Sequence, residues 1–297
     1  MNHIAAIILA AGKGTRMKSG IHKVLHKIAG RSMLMHLMDS VDALEPAAKV
    51  VVVGSGKEQL EAALAGSAIL AVQEPQYGTG HAVQMAEGAL ANFTADHPGG
   101  DVLILYGDVP FVPTATMAAM VDRLNQGDNP AVVVLAFEAE DPTGYGRVIT
   151  ENGRIVKMVE QKDASDAEKL VKLSNSGLMA VKARDLFALL ARVTDDNAQK
   201  EFYLTDIVNI ANGDGRVCVF VTTDPFDVTG INSRAQLAEM ERDWQNRRRR
   251  QAMDDGATLI APETVWFAYD TVVGRDVVIE PGVFFGPGVT IADNVWI

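Results

Sequence analysis

The chain has 297 residues, of which 48% are hydrophobic, so it can bury a sizeable core as one large or two smaller domains. Its 38 acidic and 27 basic residues give a formal net charge of -11, which argues against a general nucleic-acid or anionic-membrane surface. A single cysteine, Cys218, excludes an internal disulfide framework, and its place in an apolar run favours a buried side chain. The N-terminus lacks a signal-peptide pattern, so we expect a cytoplasmic protein.

A glycine-rich loop directly follows the first apolar run. Residues 4–8 predict a strand, and residues 9–17 (LAAGKGTRM) predict the loop that ends it. Gly12 and Gly14 lack Cβ atoms where a backbone must approach a ligand, and the N–H groups of such a loop can converge on an anion. The basic residues in and after the loop are Lys13, Arg16 and Lys23. This combination predicts a polyphosphate site, and an ordinary tight turn with solvated lysines is the alternative.

The loop matches neither of two common nucleotide-binding motifs. A dinucleotide fingerprint needs Gly or Ala at its sixth position, where this loop has Met17. The Walker A pattern is also absent. The loop by itself therefore does not identify the ligand.

Strand and helix patterns alternate through the first 110 residues. Apolar runs at 4–9, 50–53, 69–72 and 102–106 predict strands, with a helical stripe between the first two, so we expect βαβ units and a parallel sheet. The fourth strand runs into Tyr106-Gly107-Asp108, which places a carboxylate at a strand's carboxyl end, where such sheets bind ligands. A helix cap is the alternative role for Asp108.

The middle region is more mixed. Glu151-Asn152-Gly153 predicts a hairpin turn, because Asn-Gly readily takes positive φ. We expect this hairpin to form a small antiparallel flap beside the main sheet. The other predicted strands are 132–137, 178–181 and 217–221, and the predicted helices are 183–192 and 203–212.

A long helix is predicted from Ser233 to about residue 253. Ser233 and Gln236 form a capping-box pattern at its start, and at ~1.5 Å per residue the helix would span about 30 Å, which suits a linker. Residues 247–250 are four consecutive arginines. We interpret them as a solvated helix face and not as a nucleic-acid arm.

Beyond residue 255 the pattern repeats every six residues. We call the Val or Thr that recurs every six residues the repeat marker. An apolar residue lies two positions after each marker, which predicts hexapeptide β-helix repeats. Such solenoids need several repeats, and this array has only begun by Ile297, so we expect the chain to be part of a longer protein. The predicted domains are 1–230, 231–255 and 256–297. The repeat markers are Val265, Thr271, Val277, Val283, Val289 and Val295.

Together these features resemble the sugar-nucleotide pyrophosphorylase family. The resemblance covers essentially the whole chain and is strongest to bifunctional members that join a uridylyltransferase domain to a hexapeptide-repeat acetyltransferase domain. Its motifs are specific in combination and weak singly. They are the loop, Lys23-Val24-Leu25-His26, Gln73, Tyr77-Gly78-Thr79-Gly80-His81-Ala82, Tyr106-Gly107-Asp108, Asp141-Pro142-Thr143-Gly144-Tyr145-Gly146-Arg147, Glu160-Gln161-Lys162-Asp163, Asn175-Ser176-Gly177, Phe202-Tyr203-Leu204-Thr205-Asp206 and Gly230-Ile231-Asn232.

The resemblance implies a fold and an activity. The fold would be an α/β Rossmann-like nucleotidyltransferase domain, with a mixed, mainly parallel sheet and helices on both faces. A linker helix and the start of a left-handed parallel β-helix would follow. The activity would be Mg²⁺-dependent transfer of UMP from UTP to N-acetylglucosamine 1-phosphate, giving UDP-N-acetylglucosamine and pyrophosphate for cell-envelope polysaccharide precursors. Nucleic acid and membranes are not expected partners, a homotrimer is expected once the β-helix is complete, and acetyl transfer is expected to be absent from this chain.

The resemblance also implies residue roles. The nucleotide would contact Leu9, Ala10, Ala11, Gly12 and Lys23, and uracil would contact Gln73, Gly78 and Thr79. Tyr106, Gly107 and Asp108 would approach the sugar nucleotide, and Gly146, Glu160 and Asn175 would bind the amino sugar. Asp108 and Asn232 would bind substrate and ligate Mg²⁺. Arg16 would be the main catalytic cation, and Lys23 would also be catalytic.

The chemistry agrees with these roles. A sugar 1-phosphate is already an anionic nucleophile, so its attack on the α-phosphorus of UTP needs charge neutralisation and alignment and no protein base. Mg²⁺ prefers few protein oxygens together with phosphates and waters, as Asp108 and Asn232 would provide. We therefore expect His81 to be structural.

Two departures and two alternatives remain. His22 stands where the family usually has proline, which could loosen the start of that segment, and Ser176 stands where threonine is common. Another sugar-1-phosphate nucleotidylyltransferase, acting with ATP or dTTP, is one alternative, because base identity rests on Gln73, Gly78 and Thr79. A non-catalytic nucleotide-sugar-binding regulatory subunit is the other, and the presence of Arg16, Lys23, Asp108 and Asn232 argues against it.

Overall fold

The computed structural model describes residues 3–297. The chain forms two compact units. The first comprises the chain up to Lys13 and continues from His36 to Gly230. The second comprises Gly14–Met35 and Ile231–Ile297. Segment 14–35 therefore groups with the C-terminal part of the chain, which the predicted domain boundaries did not anticipate.

The strands, in chain order, are β1 Ile4–Ala10, β2 Lys27–Ile28, β3 Arg31–Ser32, β4 Ala48–Val53, β5 Ile69–Val72, β6 Asp101–Tyr106, β7 Val132–Glu138, β8 Gly146–Glu151, β9 Arg154–Val159, β10 Leu173–Lys182, β11 Cys218–Thr222, β12 Thr258–Leu259, β13 Val272–Val273, β14 Val278–Ile279 and β15 Thr290–Ile291. The α-helices are α1 Met33–Asp42, α2 Lys57–Leu64, α3 Thr79–Gln84, α4 Ala91–Asp96, α5 Thr114–Leu124, α6 Asp166–Lys169, α7 Ala183–Leu190, α8 Asp206–Gly213 and α9 Arg234–Asp254. The predicted strands and long helices are present, with shifted ends.

The first unit is built on one mixed sheet with the order β11-β7-β10-β6-β1-β4-β5. All of these pairs are parallel except those of β10, which runs antiparallel to both β6 and β7. Nearly every residue of β6 and β7 is buried, and alternate residues of a strand point to opposite faces. Both sheet faces are therefore covered, as in α/β folds, and the predicted fold class is confirmed.

The predicted hairpin joins this sheet through β10. Strands β8 and β9 pair antiparallel, and β8 also pairs with β10. Asn152 and Gly153 form the turn with φ values of 50° and 76°, the positive φ that the Asn-Gly pair predicts. The hairpin thus lies outside the main strand order but within the same sheet.

The second unit contains α9 and a series of parallel pairs. Hydrogen bonds from Arg275 N to Asp293 and from Gly282 N to Thr264 each join residues 18 apart in sequence, which is three hexapeptides. Trp266 and Phe284 form a parallel bridge with the same offset. The left-handed β-helix stays a prediction. The repeat residues nevertheless share an inner core, which includes Val265, Phe267, Val277, Ile279, Phe285 and Ile291.

The interpretation of residues 247–250 as a solvated face is wrong for Arg248 and Arg249. The guanidinium of Arg249, a residue that is only 5% exposed, donates to Pro262 O at 2.8 Å and to Gln245 O at 3.0 Å. Arg248 lies over the Phe267 ring and donates to a backbone carbonyl. The face of α9 that packs against the repeats includes part of the arginine run. The aliphatic parts of those arginine side chains cover apolar surface there.

None of the helices within residues 3–297 has the length and hydropathy needed to cross a membrane.

The two kinds of arginine give a stability prediction. Arg249→Ala should lower the free energy of unfolding by about 1–3 kcal/mol, because it removes hydrogen bonds to buried carbonyl groups. Arg250→Ala, on the exposed side of the same helix, should change it by less than about 0.5 kcal/mol. Urea unfolding of both variants measures the difference, and equal effects would contradict the packing of Arg249.

Candidate substrate site

Five of the predicted site residues line one cavity in the first unit, of about 250 Å³. They are supplied by widely separated parts of the chain, at the start of α3, the end of β6, the start of β8, the residue after β9 and the middle of β10. The sheet therefore collects residues from different motifs around one space. These residues are Thr79, Tyr106, Gly146, Glu160 and Asn175.

A bulge in β10 presents Asn175 to the cavity. The pairing register of β10 with β7 shifts between Asn175 and Met179, and Gly177 within the bulge has a φ of 89°. Asn175 Oδ1 accepts from Gly177 N at 2.9 Å, and Ser176 Oγ donates to Leu135 O at 2.6 Å. The hydroxyl of Ser176, which stands where the family often has threonine, therefore adds a bond between the bulge and β7.

Tyr106 depends on the same bulge. A Cβ on Gly177 would lie 2.8 Å from Cε2 of the Tyr106 ring, so only glycine leaves room for the ring. Burial, together with the negative charge of Glu160, raises the pKa of Tyr106. Its phenol is therefore neutral at ordinary pH and can donate a hydrogen bond.

Glu160 is the carboxylate of the cavity. Thr205 donates to its Oε1 at 3.1 Å, and it forms no salt bridge with any residue of 3–297. Burial raises the pKa of Glu160, and the charges of Asp206 and Asp163 add to this, while the bond from Thr205 opposes it. A carboxylate with no cationic partner retains acceptor capacity for the hydroxyl or amide groups of a ligand.

A second predicted group is held together at the start of α3. Gln73 Nε2 donates to Gly78 O at 2.9 Å and lies 3.2 Å from His81 Nδ1. Burial lowers the pKa of His81, so the ring is neutral and its Nδ1 can accept. Because Nε2 is used twice, the amide orientation of Gln73 is fixed and its Oε1 is left as an acceptor. His81 therefore contacts and supports the Gln73 amide, and its structural role stays a prediction.

The segment around Gly78 is held by residue 202. A Cβ on Gly78, whose φ is 117°, would lie 2.6 Å from Phe202 O. Gly80 N donates to the same carbonyl at 2.7 Å, and Phe202 N donates to Tyr77 O. Thr79 Oγ1 accepts from Leu204 N at 3.0 Å. Gly78 is thus fixed through the backbone of its neighbours, and Thr79 through its own hydroxyl.

The first part of the glycine-rich loop is also anchored in the first unit. Leu9 O accepts from Gly107 N at 3.0 Å, and Gln76 donates to Ala11 O. A Cβ on Gly12 would meet no atom within 4 Å, so the backbone there is open. Ala10 is the last residue of β1. The structure thus places the predicted nucleotide contacts at the carboxyl end of the first strand.

Asp108 follows β6 and does not cap a helix. The next helix, α5, begins at Thr114 with Pro113 at its N-cap position. The alternative role considered for Asp108 is therefore not realised.

The remaining predicted residues belong to the second unit. Arg16 lies exposed in a short 3-10 turn, and Lys23 Nζ donates to Asn232 Oδ1 at 2.6 Å. His22 has φ −55° and ψ 138°, the backbone that proline would impose, so its replacement of proline does not alter the local path. Asp108 belongs to the first unit and Asn232 to the second, and the predicted metal site stays a prediction.

The start of α9 fixes Asn232. Ser233 Oγ accepts from Gln236 N at 3.2 Å, as the capping box predicts. The Gln236 side chain, however, accepts from Asn232 N at 2.8 Å and not from the N-cap backbone. The second bond of the capping box is therefore displaced by one residue. It holds Asn232, the predicted metal ligand.

Several cavity residues were given no role from the sequence. The most important is Thr205, which lies just before α8 and donates to Glu160. Its motif was recognised as part of the resemblance, and no role for Thr205 could be read from that motif alone. Tyr145, Gln199, Glu201 and Tyr203 also line the cavity.

Residues 6–208 match the family described as MobA-like NTP transferase domain. The chain belongs to this family. It is 71% identical over 296 residues to the bifunctional protein GlmU of Sphingopyxis alaskensis and 66% identical over 284 residues to that of Novosphingobium aromaticivorans. These alignments cover 100% and 95% of this chain but only 64% and 62% of the two relatives.

Solved structures of NTP transferases share the fold. A UDP-glucose pyrophosphorylase complexed with UDP-glucose superposes with a TM-score of 0.64 at 18% identity, covering 84% of this chain and all of the other (100%). The inositol-1-phosphate CTP transferase from T. maritima gives 0.60 at 17% identity, with 82% and 98% covered. Within this NTP transferase fold, the candidate cavity lies at the β10 bulge.

The raised pKa of Glu160 predicts a pH-dependent stability difference. Because the folded-state pKa lies above the unfolded one, ionisation of Glu160 lowers stability as pH rises from the ordinary glutamate range through the raised value. Glu160→Gln stays neutral, so its unfolding temperature relative to the unsubstituted protein should increase over that interval and level off above it. Thermal unfolding between pH 3 and 8 measures this.

The matched control is Glu151→Gln, an exposed glutamate on the same hairpin. Its difference from the unsubstituted protein should show no such rise. A pH-independent difference for Glu160→Gln would contradict the desolvated state of this carboxylate.

Proposed function

We propose that this NTP transferase domain transfers UMP from UTP to N-acetylglucosamine 1-phosphate and releases pyrophosphate and UDP-N-acetylglucosamine. The observation that carries the proposal is the single cavity formed by Tyr106, Gly146, Glu160 and Asn175. The resemblance assigned these residues to the sugar nucleotide from motifs far apart in sequence. Their convergence around one space is what a shared substrate would require.

The amide orientation of Gln73 supports a uracil base. Its Nε2 is occupied by Gly78 O and His81, so its Oε1 is offered to a ligand as an acceptor. The imide N3–H of uracil is a matching donor, whereas the ring nitrogens N1 of adenine and N3 of cytosine are acceptors. A buried polar group that is left unpaired by the wrong base is costly, so this contact would discriminate against adenine and cytosine.

Charge neutralisation would be the main catalytic task. The attacking sugar phosphate is already ionised, and negative charge shifts to the departing pyrophosphate during the reaction. Arg16 would grip the reacting phosphates with its planar donor fork, and Lys23 would bind phosphate as a point charge. The bond from Lys23 to Asn232 holds this ammonium group in place in the second unit.

A Mg²⁺ ion bound by Asp108 and Asn232 is part of the proposal. One carboxylate and one amide oxygen fit the preference of Mg²⁺ for few protein ligands completed by phosphates and waters. Within residues 3–297 there is no cluster of three or more His, Cys, Asp or Glu residues that could hold a metal alone. When bound, the ion would neutralise phosphate charge. Asn232 Oδ1 already accepts from Lys23, so metal and lysine would share this oxygen's two lone pairs.

The wider biology is also proposed. UDP-N-acetylglucosamine would serve cell-envelope polysaccharide synthesis in the cytoplasm. The relatives named bifunctional protein GlmU are longer than this chain. A second, acetyl-transferring activity and a homotrimer would belong to a protein of that full length.

The nucleotide panel tests the proposal. Pyrophosphate release with N-acetylglucosamine 1-phosphate should be at least about 10²-fold faster with UTP than with ATP or CTP, because of these three bases only uracil presents a ring N–H donor to the Gln73 acceptor. We also expect UTP to exceed dTTP, although thymine shares the imide N–H. Comparable rates with ATP would contradict the uridine assignment, and comparable rates with dTTP would support a thymidylyltransferase.

Steady-state kinetics separate the two cations. Arg16→Ala should lower kcat by ~10² or more, the scale of a lost transition-state donor, and Arg16→Lys should recover little of it. Lys23→Ala should show more of its loss in KM, the sign of a contact made equally in the ground state. Circular dichroism checks folding. If Arg16→Ala changes only KM, the catalytic assignment of Arg16 is wrong.

A further inference from the structure

We propose that Arg147 and Asn209 are positioning residues that set the place of the Glu160 carboxylate and thereby the affinity for the sugar phosphate. The proposal rests on the proposed function, in which Glu160 binds the amino sugar. Neither residue lines the cavity, so each would act through the segment that carries Glu160.

Arg147 is a buried guanidinium placed behind the cavity. Its residue is 1% exposed, and its Nη2 donates to Gln161 Oε1 at 2.7 Å and to Lys169 O at 3.3 Å. Its Nη1 donates to Tyr145 O. It forms no salt bridge with any residue of 3–297. An unpaired charge in such a place is costly, so its several bonds to backbone and amide oxygens must compensate.

Two of the three acceptors of Arg147, Tyr145 O and Gln161 Oε1, belong to residues that line the cavity or adjoin its lining. Tyr145 precedes Gly146 and Gln161 follows Glu160, and a Cβ on Gly146 would lie 3.3 Å from Glu160 Oε2. One guanidinium therefore ties together the two segments that face each other across this close contact. The planar fork of arginine suits several fixed acceptors, and a lysine ammonium could not reproduce it.

Asn209 holds the other side of Glu160. Within residues 3–297, strand β9 pairs only with β8, so no strand is hydrogen-bonded to its other edge. Asn209 on α8 faces that edge, where its Oδ1 accepts from Met158 N at 3.0 Å and its Nδ2 donates to Met158 O at 3.0 Å. The amide thus replaces the missing strand at one residue. Met158 lies two positions before Glu160.

Glu160 is consequently held on both sides. Asn209 fixes Met158, Arg147 fixes Gln161, and Thr205, just before α8, donates to the carboxylate itself. The charges that act on Glu160 are those of Asp206 and Asp163 and not that of Arg147, so Arg147 would work by geometry. No counter-ion helps to place the Glu160 carboxylate. Its contacts with a ligand therefore depend on the neighbouring residues that hold its oxygens in position.

Helix α8 offers a matched control for Asn209. Asn212 also donates from its Nδ2 to a backbone carbonyl of β9, that of Ile155, at 3.0 Å. Both asparagines lie on α8 and bond to the backbone of β9, Asn209 through two hydrogen bonds and Asn212 through one. Ile155 lies further from Glu160 than Met158 does, so only Asn209 should influence the sugar site.

The first test compares kinetic constants for the two substrates. Asn209→Ala and Arg147→Lys should raise KM for N-acetylglucosamine 1-phosphate roughly ten- to hundredfold, because small displacements of a binding group are costly. KM for UTP should change less than about twofold, since these substitutions do not alter the residues proposed to contact UTP. Asn212→Ala and the exposed Arg154→Lys should leave both KM values unchanged. Equal losses for both substrates, or equal effects of Asn209→Ala and Asn212→Ala, would mean a merely structural brace and overturn the proposal.

The second test is a double-mutant cycle with Glu160→Gln. If Asn209 acts through Glu160, then Asn209→Ala should cost little more in a Glu160→Gln background, so the two losses should not add. Additive losses would overturn the positioning role while leaving the sugar site intact. If Glu160→Gln alone leaves the sugar-phosphate kinetics unchanged, the assignment of Glu160 to the sugar fails, and this inference fails with it. Asn209→Ala removes only half-buried atoms, so the cycle can be completed even if Arg147 variants do not fold.

Discussion

The irregular pairing of β10 is the constraint on which the candidate site depends. This strand runs antiparallel between β6 and β7 and also pairs with β8. A regular strand of this length would continue the sheet and leave no space beside it. The bulge at Asn175–Gly177 breaks the register, and the missing Cβ of Gly177 leaves space for the Tyr106 ring. Strand β8 pairs with β10 at Ser174 and Asn175. The cavity is therefore a consequence of one local disruption in a closely packed sheet.

Such a cavity is not optimal for stability. Arg147 is buried and Glu160 is partly buried, neither forms a salt bridge within residues 3–297, and burial raises the pKa of both Glu160 and the Tyr106 phenol. Apolar residues at these positions would cost less to bury. The surrounding hydrogen bonds from Thr205 and to Gln161 reduce the cost without removing it. A ligand that supplies donors to the carboxylate would therefore offset part of this cost, which is the expected condition of a binding site.

Much of the fold could be predicted from the sequence because the signals are local. Buried strands appear as apolar runs, the Asn152-Gly153 turn follows from backbone preference, and the six-residue repeat agrees with the contacts between residues 18 apart. The site was located through motifs, which named residues without showing what supports them. Arg147 ends one of these motifs and Asn209 belongs to none, and neither could be given a supporting role from the sequence, since that role depends on which chain segment lies opposite. The same reason explains the wrong interpretation of Arg249, which is polar by sequence yet buried by the repeats that pack against its helix.

The two halves of the proposed reaction use different physical means of recognition. The groups proposed for the nucleotide include the backbone at Gly12 and Gly78 and the amide of Gln73, whose Nε2 donates to the Gly78 carbonyl. The group proposed for the sugar is a desolvated carboxylate, whose position is set indirectly by residues outside the cavity. Backbone recognition tolerates side-chain change because the bonds do not involve side chains. The sugar half should therefore be the more sensitive to substitutions at a distance, since the place of Glu160 depends on several side chains at once.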